Sequence, residues 1–356
     1  MQVFVIFCLT AILALASGAP APAISAEGAA WQKVVEAAQR EGVVNYYSYP
    51  FTGTAGVQVT KAFKDKYGVQ LEITTGRVPI MVERVRMEQK SKSYVADAFD
   101  ASGAGIITLK NDGLLESVAE ALPVLKEKDK FVRSPIEDPP EAQLLTVMRT
   151  HNGFWINTNL VKPEQEPKSF YDLLDPKWKG KMFLNNPLYA SAPDSNMMVF
   201  VRAKVLAEDY FIKLYKSAAL GGPGGSREAV DKLVRGEFAI VGPVSAVDAM
   251  RPFLGGAPIK PLDLKEGTMF RVTRWAATKN GPHPNATKVF INWLLSKEGQ
   301  LVATKALGLD GVRNDIPSVM PFRFTGPLLI ETSELVLLSD KHYSEQYLAK
   351  LLGLKR

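Results

Sequence analysis

Hydroxyl-bearing residues recur where apolar, strand-like runs give way to helix-like ones. Ser48, Tyr49 and Thr52 follow the first such run, Arg77 the second, and Ser102 and Gly103 the third. Further along, residues 185–191 with Tyr189 and Ser191, then Ser195 at a helix start, and Ser245 after Gly242 and Pro243 hold equivalent places. In open α/β sheets, ligands lie where loops leave the carboxyl ends of the strands and helix amino termini present N–H groups. Hydroxyls and such amides donate to oxyanions, and Arg77 can grip a carboxylate or phosphate through two parallel hydrogen bonds. The set points to capture of a small anion. For each residue a helix cap or a plain surface role is the competing reading: Arg77 can equally pair with Glu83 or Asp97, and Ser195 can simply cap. Tyr49 and Tyr189 are the aromatic side chains expected to face a ligand.

Other chemistry is sparsely provided. The three histidines, His151, His283 and His342, stand far apart with no carboxylate at metal-ligand spacing, and no H-E-x-x-H or G-x-S-x-G motif is present. The glycines at 221–225 lack the G-K-[ST] ending of a phosphate-binding loop. No catalytic residue, metal site or cofactor is called for, and the chain is not expected to be an enzyme.

The elements that must position these residues alternate. Trp31, Val34, Val35 and Ala38 mark a helical face that Gly42 ends, and residues 43–47 read as a buried strand. Val59, Ala62, Phe63 and Tyr67 mark a second helix, residues 69–74 a strand, Val78, Met81, Val82 and Val85 a third helix, and residues 96–100 a strand. Helices between short apolar strands predict right-handed crossovers and a mostly parallel sheet. A second α/β series follows residues 144–156. A capping box at Ser169 and Asp172 opens a helix, strands are expected at 182–184 and 238–241, and residues 270–277 are extended. Ala286, Val289, Phe290 and Trp293 form another amphipathic face, and the tail from 327, with Tyr347, Leu348, Leu351 and Leu352, reads as helical.

With 356 residues, 46% of them apolar, the chain is long enough for two cores. Its 43 Lys and Arg against 37 Asp and Glu leave a net charge of +6, spread along the chain, so nucleic-acid binding is not indicated. An apolar run over 3–16 followed by small residues to Ala26 reads as a secretory signal peptide spanning residues 1–26. The sole cysteine, Cys8, lies inside it, so the exported chain has no thiol and is indifferent to an oxidising compartment.

Several stretches together carry a family likeness: residues 43–48 as first strand and loop, 96–99, 153–158, the L-L-D-P-K-W-K-G-K run at 173–181, and the I-N-W-L-L-S-K-E-G-Q run at 291–300. In order and spacing the chain resembles the extracellular solute-binding proteins of ATP-driven importers, in the branch that includes the ferric-ion-binding proteins. The resemblance implies a two-lobed α/β periplasmic-binding-protein fold of type 2, with two mostly parallel sheets joined by crossover strands at 144–156 and 268–276. It divides the chain into residues 27–147 and 275–325 as lobe 1, residues 148–274 as an inserted lobe 2, and residues 326–356 as a tail. It also implies a monomer in the periplasm that delivers a small-molecule solute to a membrane permease. A ligand-sensing role beside a chemoreceptor or sensor kinase is the alternative. In ferric-binding relatives a His, an acidic residue and a tyrosine pair hold the ion; Phe51, Ser102 and residues 244–246 stand there in this chain and offer no hard anionic ligand. A polyamine would need several cleft carboxylates and stacked aromatics, for which Asp100, Asp194 and Trp155 are at hand.

Overall fold

The computed structural model describes residues 26–186, 200–201, 203–207, 209–222, 224–322, 324–330 and 352–353. Most of the expected signal segment therefore lies outside the described residues. Helix α1 (Ala26–Glu41) stops at Gly42, whose φ of +75° favours a residue without a side chain. Strand β1 (Val43–Ser48), helix α2 (Gly53–Tyr67), strand β2 (Gln70–Thr75), helix α3 (Val78–Ser91), strand β3 (Ala98–Ala101) and helix α4 (Ala104–Asn111) follow in the predicted order. β1 pairs in parallel with both β2 and β3, which makes α2 and α3 crossover helices. Each presents an apolar face inward: Ala55, Val59 and Phe63 from α2, and Met81, Val82 and Val85 from α3.

The remaining strands are β4 (Leu115–Glu116), β5 (Leu145–Asn157), β6 (Met182–Leu184), β7 (Ala219–Leu220), β8 (Ile240–Ser245), β9 (Ile259–Pro261), β10 (Thr268–Thr278), β11 (Asp310–Gly311) and β12 (Leu328–Ile330). One hydrogen-bonded path runs β2-β1-β3-β10-β5-β8-β6-β7. It is parallel at both ends, as expected, and antiparallel in the middle, where β10 meets β3 and β5, and β5 meets β8. β5 and β10 belong to both halves. β5 has 13 residues, a length of roughly 40 Å at about 3.3 Å per residue. Its first part pairs with β10 and β11, its last part with β8 and β9. The architecture is two-lobed α/β with shared central strands.

Among the described residues, three clusters fill the interior. Tyr47, Met81, Val85, Phe99 and Ile106 pack under α3 and α4. Phe154, Phe170, Met182, Phe200 and Tyr210 fill the second lobe. The largest cluster includes Tyr46, Phe51 and Phe63, Trp155 and Trp275, and Phe290 and Trp293. Phe290 and Trp293 come from the helix Pro284–Leu295, whose first turn is capped from afar: Glu41 accepts the N–H groups of Asn285 at 2.9 Å and Ala286 at 2.7 Å.

The structure departs from the sequence reading in three elements. The capping box at Ser169 and Asp172 is present, but it opens only a short 3-10 turn, Phe170–Leu174. The strand expected at 238–241 starts later and runs to Ser245: β6 flanks it at residues 240–242, and β5 pairs with it as far as Ser245. The tail expected to be helical from 327 begins instead as β12, which adds in parallel to β10. An available strand edge overrides local helix preference there. Of the rest, only residues 352–353 are described.

Candidate ligand-binding cleft

Asp100, at the heart of β3, organises the first binding loop. It is fully buried and accepts hydrogen bonds from Ser48 Oγ at 3.0 Å, from the Tyr49 N–H at 2.8 Å, and from the Tyr46 hydroxyl. Burial pushes its carboxyl up to about 7, against the pull of those donors. Ser48 Oγ also accepts from the Phe51 N–H at 3.2 Å, so this hydroxyl shapes the loop from below. Phe51 is buried and its ring lies 6.2 Å from that of Tyr46. Held by its own backbone, Tyr49 projects outward. Burial raises its phenol pKa, the Asp248 carboxylate raises it further, and the Arg271 and Arg227 guanidiniums lower it. Arg227 Nε and Asp248 Oδ1 are 3.6 Å apart.

The third strand end meets β10 directly. Ser102 Oγ lies 3.3 Å from Thr273 Oγ1. Gly103 is buried with a φ of +79°, and a Cβ there would stand 2.7 Å from Arg271 Nη2. Arg271 is only 7% exposed and reaches across the space that a glycine leaves. On β5, Thr150 lies directly opposite Arg271, and Asn152 lies opposite both Met269 and Ser245. Directly opposed residues of antiparallel strands share a face. Thr150, Asn152, Arg271 and Thr273 thus share one face, with Met148 and Met269 beside them, in strands otherwise rich in buried apolar residues.

The other expected residues are placed as follows. Thr52 is exposed just before α2, and its side chain makes no capping hydrogen bond. Arg77 is exposed just before α3, at the same end of the sheet. Its alternative partners are engaged elsewhere, Glu83 with Arg86 and Asp97 with His283. Ser245 ends β8 and caps the helix Ala246–Leu254, its Oγ accepting from the Val247 N–H at 3.3 Å, while its own N–H donates to Ser226 Oγ at 2.9 Å. Tyr189, Ser191, Ser195 and Asp194 lie outside the described residues, as does His342.

Arg271 and Asn152 are the residues that reading strand ends missed. Their signal was present: polar and charged side chains inside the extended runs 145–157 and 268–278, every position of the latter buried. His151 lies on the opposite face, stacked 4.5 Å from the Phe324 ring, and burial pushes its imidazole down to about 3. His283 Nδ1 lies 2.9 Å from Asp97 Oδ2. Among the described residues, no three His, Cys, Asp or Glu side chains are grouped so as to hold a metal ion.

A buried guanidinium and several hydroxyl and amide side chains thus gather where β3, β5 and β10 meet. The sequence profile described as bacterial extracellular solute-binding protein matches residues 58–319. The chain belongs to that family. An uncharacterized protein of Haemophilus influenzae is 26% identical to this solute-binding protein over 259 residues, 69% of this chain and 71% of its own. Iron-bound HitA from Pseudomonas aeruginosa has the same fold, with a TM-score of 0.67 at 18% identity over 88% of this chain and 99% of that one. AfuA from Actinobacillus pleuropneumoniae, with exogenous fructose-6-phosphate bound, gives a TM-score of 0.60 at 21% identity over 87% and 96% of the two chains. The solute-binding protein thus has the two-lobed type 2 periplasmic-binding-protein fold. The family comprises binding proteins that deliver small solutes to ATP-driven permeases.

Proposed function

We propose that this solute-binding protein captures a small organic anion, bearing a carboxylate, phosphate or phosphonate, in the periplasm and passes it as a monomer to the permease of an ATP-driven importer. Residues 1–26 direct its export. The lobes divide within β5 and β10, residues 27–147 and 275–325 against residues 148–274, and the anion binds where they meet. The observation that carries this reading is Arg271, a guanidinium 7% exposed on the cleft floor, held against Gly103. In a low-dielectric floor its attraction for an anion is much stronger than in water. Ser102, Thr273 and Thr150 supply hydroxyl donors around it, Ser245 the approach from the second lobe, and Tyr49 the wall. Ser48 and Thr52 shape the loop that carries Tyr49. Tyr189, Ser191 and Ser195 are proposed contacts from the second lobe. Arg77, exposed near the mouth, steers the anion inward. Contacts to both lobes exist only in the closed form, so differential affinity drives closure.

A polyamine finds less to hold it. Asp100 is tied into the first loop, and Trp155 is fully buried with its ring edge-on to Phe322. The test is native mass spectrometry of protein purified without refolding, then calorimetry with organic acids, phosphates and phosphonates. Hydrogen bonds to a charged group contribute about 1.5–3 kcal/mol, so Arg271→Ala should weaken anion binding by about 10- to 100-fold. Arg77→Ala should mainly slow association at low salt. Unchanged affinity in Arg271→Ala would remove the anchor from this account.

A further inference from the structure

Asn152 carries a question that the anion does not answer. The residue is 1% exposed, and both its carboxamide oxygen and its nitrogen are buried without a hydrogen-bond partner among the described residues. Native proteins pair the large majority of such groups. Its position is fixed by register: two residues along β5 from Thr150, opposite Met269 and Ser245, and diagonal to Arg271. Diagonal neighbours on one face of an antiparallel pair are about 7–8 Å apart. A short molecule held at one therefore reaches the other.

Asn185, one residue past β6, adds an independent requirement from the other side of β8, where Pro243 stands two residues from the Ser245 that opposes Asn152. It is 2% exposed, and its Nδ2 donates to Pro243 O at 2.8 Å, which fixes the orientation of the amide. Its Oδ1 is then an acceptor, buried and without a donor among the described residues. Such an acceptor calls for an O–H or N–H, which a bare carboxylate or phosphate dianion does not carry.

We infer that the cleft contains a second, uncharged subsite, built from the Asn152 carboxamide and Asn185 Oδ1, that reads a hydroxyl or amide group on the solute. The inference rests on the anion reading above and narrows it: the cargo is a short anion with a neutral hydrogen-bonding group a few atoms from its charge, such as a hydroxy acid or a polyol phosphate. A plain alkyl anion leaves both carboxamides unsatisfied on closure, and sites built around polar groups reject analogues that lack the matching one. A charged second end finds no counter-charge at either amide.

The experiment is calorimetric titration of the full-length mature protein with two matched pairs, glycerol 3-phosphate against n-propyl phosphate and lactate against propionate, with inorganic phosphate as the anion alone. In at least one pair the hydroxylated member should bind tenfold or more tightly than its plain partner. Asn152→Leu should abolish that preference by weakening the hydroxylated member while leaving the plain partner within about twofold. Asn185→Ala gives the same readout from the other amide should the leucine variant fail to fold. Equal binding within both pairs, or variants that weaken both members alike, overturns the subsite and leaves the anion reading standing. If no probe binds and Arg271→Ala is likewise silent, both readings fall.

Discussion

An alanine at position 103 would face two obstacles at once, a φ of +79° and a Cβ 2.7 Å from Arg271 Nη2. The backbone region alone costs about 1–3 kcal/mol for a residue with a side chain. The Gly103→Ala variant should therefore melt at a lower temperature and also lose anion affinity, because the guanidinium is pushed from its place; a loss of stability with affinity intact would uncouple the two. A second prediction concerns acid and base. Asp100 has a folded pKa of about 7, above its ordinary value of 3.8, so the stability it contributes is complete below that lower value and is lost as pH rises through about 7. His151, at about 3 against 6.5, runs the other way: its contribution is complete above 6.5 and is lost as pH falls toward 3. Denaturant titrations should show Asp100→Asn losing less stability than the parent between about pH 4 and pH 7, and His151→Phe losing less on acidification below about pH 6. At this scale the sequence was only half legible. Strand ends are visible locally, which is why Ser102 and Gly103 stand among the expected contacts. Ser48 is visible in the same way, but its hydrogen bond to Asp100, 52 residues away, is not. Arg271 was passed over because its partners come from other strands.

Strand β10 is anchored in both directions, and one anchor is ionic. Arg274 is 0% exposed, and its Nε donates to Glu137 Oε2 at 2.6 Å, while Glu137 Oε1 accepts from Thr146 Oγ1 at 2.5 Å and from Arg133 Nη2 at 3.3 Å. This network ties β10 to the start of β5 and to the segment before it. Removing one member of a buried pair leaves the other charge uncompensated, at a cost of about 3–5 kcal/mol. Chemical denaturation of Glu137→Ala should show a loss of that size, with the midpoint shifted and the slope retained; a shift under about 1 kcal/mol would make the pair a bystander. The helices and strands of the first lobe were legible because period and punctuation agree there: Gly42 and Gly68 close α1 and α2 in the left-handed region. The extent of β8 and the strand β12 were not. Their edges are set by neighbours in the sheet rather than by their own residues.

At the scale of the whole molecule, the shared strands β5 and β10 set how the lobes can move. The proposed closure is a rotation about strands that continue through both halves, so each lobe keeps its internal hydrogen bonds while their separation changes. Solution scattering should record a smaller radius of gyration when the anion that most raises the melting temperature is added, and no change with Arg271→Ala at the same concentration; identical profiles with and without a bound solute would rule out hinge closure. The same continuity governs how the protein comes into being. Tyr46 packs edge-on to Phe290 at 4.9 Å, and Phe63 lies 5.3 Å from Phe290 and 5.4 Å from Trp293. The earliest strands to leave the ribosome thus wait for helix residues synthesised near the other end of the chain before their core can close. Contacts so distant in sequence form late; for a chain exported as proposed, this keeps the nascent polypeptide open for threading through a translocation channel and postpones its final shape to the far side.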